Sequence, residues 1–312
     1  MSAKLTYQQQ YERHRSMQFS FHTLDVFTTE VFTGNPLAVV LDAQSLDDAQ
    51  MQKIAAEFNL SETVFVLPPD DEANTAKLRI FTPARELSFA GHPTVGTAIL
   101  LADLFGIKDE VRLEEGVGLV PVTLAAHEQG MHAQFSAAVM PEPWTNVPSD
   151  KKIARALSLK DHQLGCGTHR ASVFNPGNHP VLYVPLKDRA TLKDARISIG
   201  DWPELGAAGA FLAYLYCEGE AGSGVDYHAR AFAPLSGIAE DPATGSAAAG
   251  FPGPLLSYEG PWEGMRAWVI MQGEDMGRAS RIELEADAAR GGLQAVRVGG
   301  HAVKVSSGKL DL

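Results

Sequence analysis

Apolar and polar residues alternate over 20–26 and again over 77–81, which predicts two half-buried strands. Gly34-Asn35-Pro36 marks a turn, and 37–41 is a short, unbroken apolar run of the kind buried on both faces. Leu46, Met51, Ile54, Ala55 and Phe58 recur at helical spacing behind a Ser45/Asp48 capping pair, predicting a helix that ends near Phe58. The segment 59–66 becomes strand-like toward its end, so Glu62 falls where a loop enters a strand. From 95 to 105 the chain is apolar on nearly every side until Gly106 stops it; a helix with no polar face is buried. Val- and Leu-rich strands follow over 111–124, and a new unit begins near 131–139. The second half repeats the style, with helices over 150–157 and 188–195 and strands near 181–185, 211–217 and 229–232. The pattern predicts an α+β protein of two halves, each a mostly antiparallel sheet around one central helix.

One passage occurs twice. Arg79-Ile80-Phe81-Thr82-Pro83 leads to His92-Pro93-Thr94-Val95-Gly96-Thr97-Ala98, and Arg230-Ala231-Phe232-Ala233-Pro234 leads to Asp241-Pro242-Ala243-Thr244-Gly245-Ser246-Ala247. The shared letters are Arg-x-Phe-x-Pro and Pro-x-x-Gly-(Thr/Ser)-Ala, a diverged duplication that suits two domains of similar size within 312 residues. In this register His92 stands opposite Asp241. Proline favours the first turn of a helix, so both copies read as a polar cap followed by a helix entry. Unpaired N–H groups at a helix start carry partial positive charge, and Gly96 and Gly245 leave room for a guest, so a carboxylate fits there.

Composition narrows the functions. A formal charge of −12 disfavours nucleic acid and anionic membranes as partners. The most apolar stretch, 207–217, is shorter than the roughly 20 residues that span a bilayer, and no signal-peptide pattern opens the chain, which places the protein in the cytoplasm. Residues 1–18 are polar and aperiodic and read as a loose extension. Cys166 and Cys217, the two cysteines, lack metal-type spacing and read as inert buried thiols. Gly308-Lys309 lacks the rest of a phosphate loop, His127-Glu128 with His132 misses the zinc-helix spacing, and Ser246 lacks the nucleophile-elbow glycines.

Gly34-Asn35-Pro36, Asn59-Leu60-Ser61-Glu62-Thr63-Val64-Phe65, Phe89-Ala90-Gly91-His92-Pro93-Thr94-Val95-Gly96-Thr97-Ala98 and Glu240-Asp241-Pro242-Ala243-Thr244-Gly245-Ser246-Ala247 occur in that order. Gln272-Gly273 and Met276-Gly277-Arg278 follow. With these motifs the chain resembles, from about Phe19 to Leu312, the PhzF family of phenazine-biosynthesis-like isomerases. The resemblance implies the diaminopimelate epimerase fold, with residues 19–128 plus 298–312 as one half and 129–297 as the other. It further implies an active site between the halves, a homodimer, and no cofactor. Carried onto matching positions, Glu62 is the proton-shuttling glutamate, His92 and Asp241 assist it, and Gly91, Gly96, Gly245 and Ser246 anchor the substrate. One departure stands out: Gly250-Phe251-Pro252-Gly253-Pro254 interrupts the second helix after about two turns.

The implied reaction moves a proton on a small unsaturated carboxylate. Glu62 is the candidate base, its pKa raised by apolar neighbours such as Leu60, Val64 and Phe65. His92 is placed to hold or protonate a substrate heteroatom, and Asp241 to orient an amino group or His92. Two alternatives remain open. A racemase or epimerase of the same fold would use a thiol pair, but Cys166 and Cys217 lie outside the repeat, and His92 and Asp241 stand roughly where such thiols are expected. A non-catalytic carboxylate-binding protein would keep the cleft without the three titratable groups converging.

Overall fold

The computed structural model describes residues 17–312 except 178, 207, 208, 210 and 211. Most of the proposed N-terminal extension, and the first residue of the strand expected at 211–217, lie outside the described residues. Gln18, read as part of that extension, already pairs with Asp311.

The first group of elements comprises β1 (Gln18–Val26), β2 (Asn35–Val40), α1 (Asp48–Phe58), β3 (Glu62–Leu67), β4 (Ala76–Phe81) and β5 (Glu86–Leu87). It continues through α2 (Gly91–Phe105), β6 (Glu110–Glu115), β7 (Gly118–His127) and β8 (Gly130–Ser136). The second group begins with β9 (Glu142–Pro143), α3 (Asp150–Ala156), β10 (Ser172–Asn175), β11 (Val181–Pro185), α4 (Arg189–Asp194), α5 (Pro203–Gly206) and β12 (Leu212–Glu218). It closes with β13 (Tyr227–Ala233), β14 (Ile238–Asp241), α6 (Gly245–Gly250), α7 (Pro252–Glu259), β15 (Gly264–Gln272), β16 (Ser280–Ala289) and β17 (Gly292–Asp311). Pairing is mostly antiparallel, with parallel contacts where β2 meets β3, β4 meets β6, β11 meets β12 and β13 meets β15. The predicted strands over 111–124 are the hairpin of β6 and β7, and β8 extends it past the 128/129 boundary read from the sequence. The 20-residue β17 pairs through its first part with β16, then with β8, and through its last part with β1.

The helix without a polar face is α2: every residue from Gly91 to Ala102 is buried, and it packs against β1, β2, β6, β8 and β17. Its end at Gly106 adopts positive φ, as its sequence predicts. The helix α1 is capped two residues later than expected, by Asp47 and Gln50 in a reciprocal box. The central helix of the second group is α6 continued by α7. Gly250 and Pro252 do interrupt it, yet Phe251 between them keeps helical angles. Pro252 has no N–H for the Ala248 carbonyl, which takes the Phe251 N–H at 3.1 Å instead, and the Ala247 carbonyl left over accepts from Tyr183 Oη at 2.8 Å. A Cβ at Gly250 would lie 2.1 Å from that tyrosine oxygen, so the glycine makes the repair possible.

The repeated Arg-x-Phe has one structural meaning in both copies. Arg79 lies over Phe81 and grips Glu86 through Nε and Nη2, at 2.7 and 2.6 Å. Arg230 lies over Phe232 and grips Glu240 the same way, at 2.8 and 2.9 Å. Each arginine thereby ties a long strand to the short strand that leads into a central helix.

The second part of the repeat is corrected. The helices start at Gly91 and Gly245, after Ala90 and Thr244, and these two glycines touch: a Cβ on Gly91 would lie 2.9 Å from the Gly245 Cα. Gly91 therefore corresponds to Gly245 and His92 to Ser246, so His92 is not the counterpart of Asp241. Neither His92 nor Asp241 is a helix cap; His92 sits inside the first turn of α2, and Asp241 ends β14, four residues before α6 begins. Shared Pro-x-x-Gly letters set the expected register, whereas helix-to-helix contact sets the real one.

Candidate active site

The facing starts of α2 and α6 border a cavity of about 420 Å³. Its wall includes Glu62, Ala90, Asp241, Thr244 and Ser246, joined by Arg85 and Ser88 from the first group and His179 from the second. Glu62 opens β3, whose parallel pairing with β2 aligns it with Leu37. The loop-to-strand position inferred from sequence thus places a carboxylate at the cavity, where it is buried.

Asn35 is the hub. Its Nδ2 donates to Asp241 Oδ1 at 2.9 Å and to the Ala243 carbonyl at 2.9 Å, and it lies 3.2 Å from His92 Nδ1. Both Nδ2 hydrogens already have acceptors, so His92 Nδ1 at most shares one of them; an amide nitrogen cannot accept from Nδ1, which therefore bears its lone pair there and leaves the neutral ring's proton on Nε2. That Nε2 lies 3.3 Å from Glu62 Oε2, a close approach without hydrogen-bond alignment. Burial lowers the His92 pKa to about 3, so the ring is neutral and supports this tautomer.

Asp241 is held on every side. Thr244 Oγ1 donates to its Oδ2 at 2.6 Å, Ser61 Oγ reaches Oδ1 at 3.5 Å, and Gln272 Nε2 donates to its carbonyl at 2.8 Å. Gln272 also accepts from the Thr244 N–H at 3.1 Å, locking the turn between β14 and α6. Burial raises the Asp241 pKa to about 6 against the pull of those donors. Burial, and then the Asp241 charge, push Glu62 well above the carboxylate range.

The sequence-selected residues thus divide. Glu62, His92 and Asp241 come together through Asn35; Gly91, Gly245 and Ser246 lie at the helix starts beside them. Gly96 does not join them: a Cβ there would strike Val26 Cγ2 and Leu37 Cδ2 in the core, at 2.6 and 2.7 Å. Asn35, Thr244, Gln272, Arg85 and His179 join the site without standing out in the sequence, although Asn35, Thr244 and Gln272 sit inside the motifs that carry the resemblance. Cys166 and Cys217 are buried apart from this cavity, and burial pushes the Cys217 thiol up to about 12. Among the described residues no three His, Cys, Asp or Glu are arranged to hold a metal, and no helix is long and apolar enough to cross a membrane.

Behind the first turn of α2, Thr94 Oγ1 lies 2.8 Å from the Ala90 carbonyl and 2.7 Å from buried Glu115 Oε1. One hydroxyl hydrogen cannot fully serve both acceptors, and a protonated Glu115 removes the conflict. Burial accordingly raises Glu115 from 4.5 to about 8. Between those values the folded chain keeps a proton that the unfolded chain releases, so this group makes stability fall as pH rises through that window. Glu115→Gln is expected to flatten that slope and gain at least ~1 kcal/mol over wild type at pH 9. Urea unfolding at pH 6 and 9 checks it; an unchanged slope would contradict a buried neutral Glu115.

Two central helices thus begin side by side at one cavity, with a carboxylate, a neutral imidazole and a second carboxylate brought together beside their starts. The sequence pattern of the phenazine biosynthesis-like proteins, PhzC-PhzF, matches residues 24–308. The chain is 44% identical over 292 residues to an uncharacterized isomerase of Mesorhizobium japonicum, covering 92% of this chain and 96% of that one. It is 35% identical over 299 residues to the trans-2,3-dihydro-3-hydroxyanthranilate isomerase of Pseudomonas aeruginosa, covering 93% and 98%. The Bacillus anthracis PhzF-family structure superposes with a TM-score of 0.85 at 24% identity, covering 95% and 100%. A hydroxyproline epimerase from Agrobacterium vitis shares the fold, with a TM-score of 0.64 at 12% identity, covering 95% and 93%. The chain belongs to the phenazine biosynthesis-like family, and it is an isomerase.

Proposed function

We propose that the protein isomerises a small unsaturated carboxylate by carrying a proton between two of its carbons on Glu62, in the cleft between the halves and without a cofactor. The observation that carries this reading is Glu62 itself: a buried carboxylate at the cavity wall, with Oε2 3.3 Å from a neutral imidazole and without a hydrogen bond. Such a group neither sits in an ion pair nor caps a helix, and its raised pKa suits both taking and returning a proton. The helix starts at Gly91 and Gly245, with the Ser246 hydroxyl, supply N–H and O–H donors for the substrate carboxylate and for charge that develops beside it. His92 Nε2–H holds a substrate heteroatom or the Glu62 carboxylate, and Asp241 keeps His92 in its tautomer through Asn35. The approach of Glu62, His92 and Asp241 favours an enzyme over a carboxylate-binding protein, and the positions of both cysteines disfavour two-thiol epimerisation.

The relative from P. aeruginosa is named for trans-2,3-dihydro-3-hydroxyanthranilate, which makes that compound the first substrate to test. Turnover in deuterated water, followed by NMR, should give an isomer rather than an epimer; an inverted centre with the double bonds unmoved would favour the epimerase. The rate is expected to rise with pH as Glu62 ionises. Asp241→Asn removes the charge that lifts Glu62, so the acid limb should move to lower pH even as the maximum rate falls. A limb that stays in place, or moves up, would show that another group governs it.

A further inference from the structure

The cavity holds one cation that the proton-transfer set does not use. Arg85 lies on the tight turn between β4 and β5, where Thr82 N–H donates to the Arg85 carbonyl at 2.8 Å and Thr82 Oγ1 accepts from the Arg85 N–H at 3.0 Å. Gln52 on α1 donates to the Thr82 carbonyl at 2.9 Å, so the turn is anchored from behind. The neighbouring acid in the wall, Glu86, is already gripped by both Nε and Nη2 of Arg79. Among the described residues the Arg85 guanidinium has no hydrogen bond or ion pair, in a protein of formal charge −12. His179 reaches the same wall from the other group, close enough that the Arg85 charge adds to burial in lowering its pKa. The second copy of the repeat has no counterpart: its loop from Pro234 to Glu240 contains no basic residue.

We propose that Arg85, flanked by His179, binds a second carboxylate of the substrate, so that the natural substrate is an unsaturated dicarboxylate. This rests on the reading above, in which the helix starts take the first carboxylate. An exposed cation carried on an anchored turn at the wall, left unpaired while its acidic neighbour is neutralised by Arg79, is matched by an anion that arrives with the ligand. A monocarboxylate would leave Arg85 to solvent and gain nothing from it.

Calorimetric titration with benzoate, isophthalate and terephthalate tests this, since the three share a ring and differ in the presence and spacing of the second carboxylate. At low ionic strength at least one dicarboxylate should bind wild type ten-fold or more tightly than benzoate. In Arg85→Gln that preference should fall to two-fold or less with benzoate affinity unchanged, while Lys187→Gln, a charge-matched change outside the cavity, should keep it. Equal binding of all three to wild type, or a preference that survives in Arg85→Gln, would overturn the proposal and leave the benzoate site standing. Failure of all three to bind would overturn it together with the carboxylate reading of the helix starts.

Discussion

Glu62→Gln is expected to lower kcat/KM by ~10³-fold, the middle of the range for loss of a general acid–base group. The substitution keeps size and burial and breaks no hydrogen bond of Glu62 Oε2, so the fold and substrate affinity should survive. What disappears is the proposed base. His92 is a poor substitute, because its tautomer presents a hydrogen and not a lone pair to that space. Asp241 is committed to Asn35, Thr244 and Ser61. Deuterium incorporation into substrate and product, measured by NMR, reads the step directly. Exchange at wild-type rate in Glu62→Gln would remove Glu62 from the role of base.

Gly91→Ala is expected to damage both stability and catalysis. The new methyl would lie 2.9 and 3.1 Å from Gly245 Cα and C, and 3.3 Å from Phe135 Cζ, so backbone must yield. Overpacking of this kind costs ~1–3 kcal/mol. Because the yielding atoms are the starts of the two helices proposed to hold the substrate, a shift of about 1 Å there is expected to reduce turnover ~10²-fold. Gly96→Ala gives the contrast. It strikes Val26 and Leu37 side chains at similar distances but leaves the helix starts alone, so stability should fall with much smaller loss of kcat. Denaturation midpoints and turnover measured on both variants separate the two effects; equal losses of kcat would contradict the assignment of the helix starts to the site.

Much of this was legible because local pattern and burial agree. An apolar segment with no polar face could only be a central helix, and α2 is one. Glu62, selected through the motif Asn59 to Phe65 that carries the resemblance, lies buried at the cavity wall. The register of the repeat was misread because Pro-x-x-Gly recurs by letter in both copies, whereas the true equivalence, Gly91 with Gly245, is a backbone contact between distant segments. Asn35 reads as a turn residue and Gln272 only as part of a motif match; folding alone brings both to Asp241. Arg85 and His179 belong to loops far apart in sequence, and nothing local marks a cavity they share.

The 20-residue final strand also bears on how the chain is made. β1 pairs along its whole length with β17, so Gln18 finds Asp311 across almost the entire sequence. Contacts of such separation are slow to form, because the intervening chain must be ordered first. During synthesis β1 has β2 on one side but an open edge on the other until residues 302–311 leave the ribosome. An unpaired strand edge invites other chains. The alternation of β1, which leaves Gln18 and Ser20 exposed at its outer end, keeps that waiting edge partly polar.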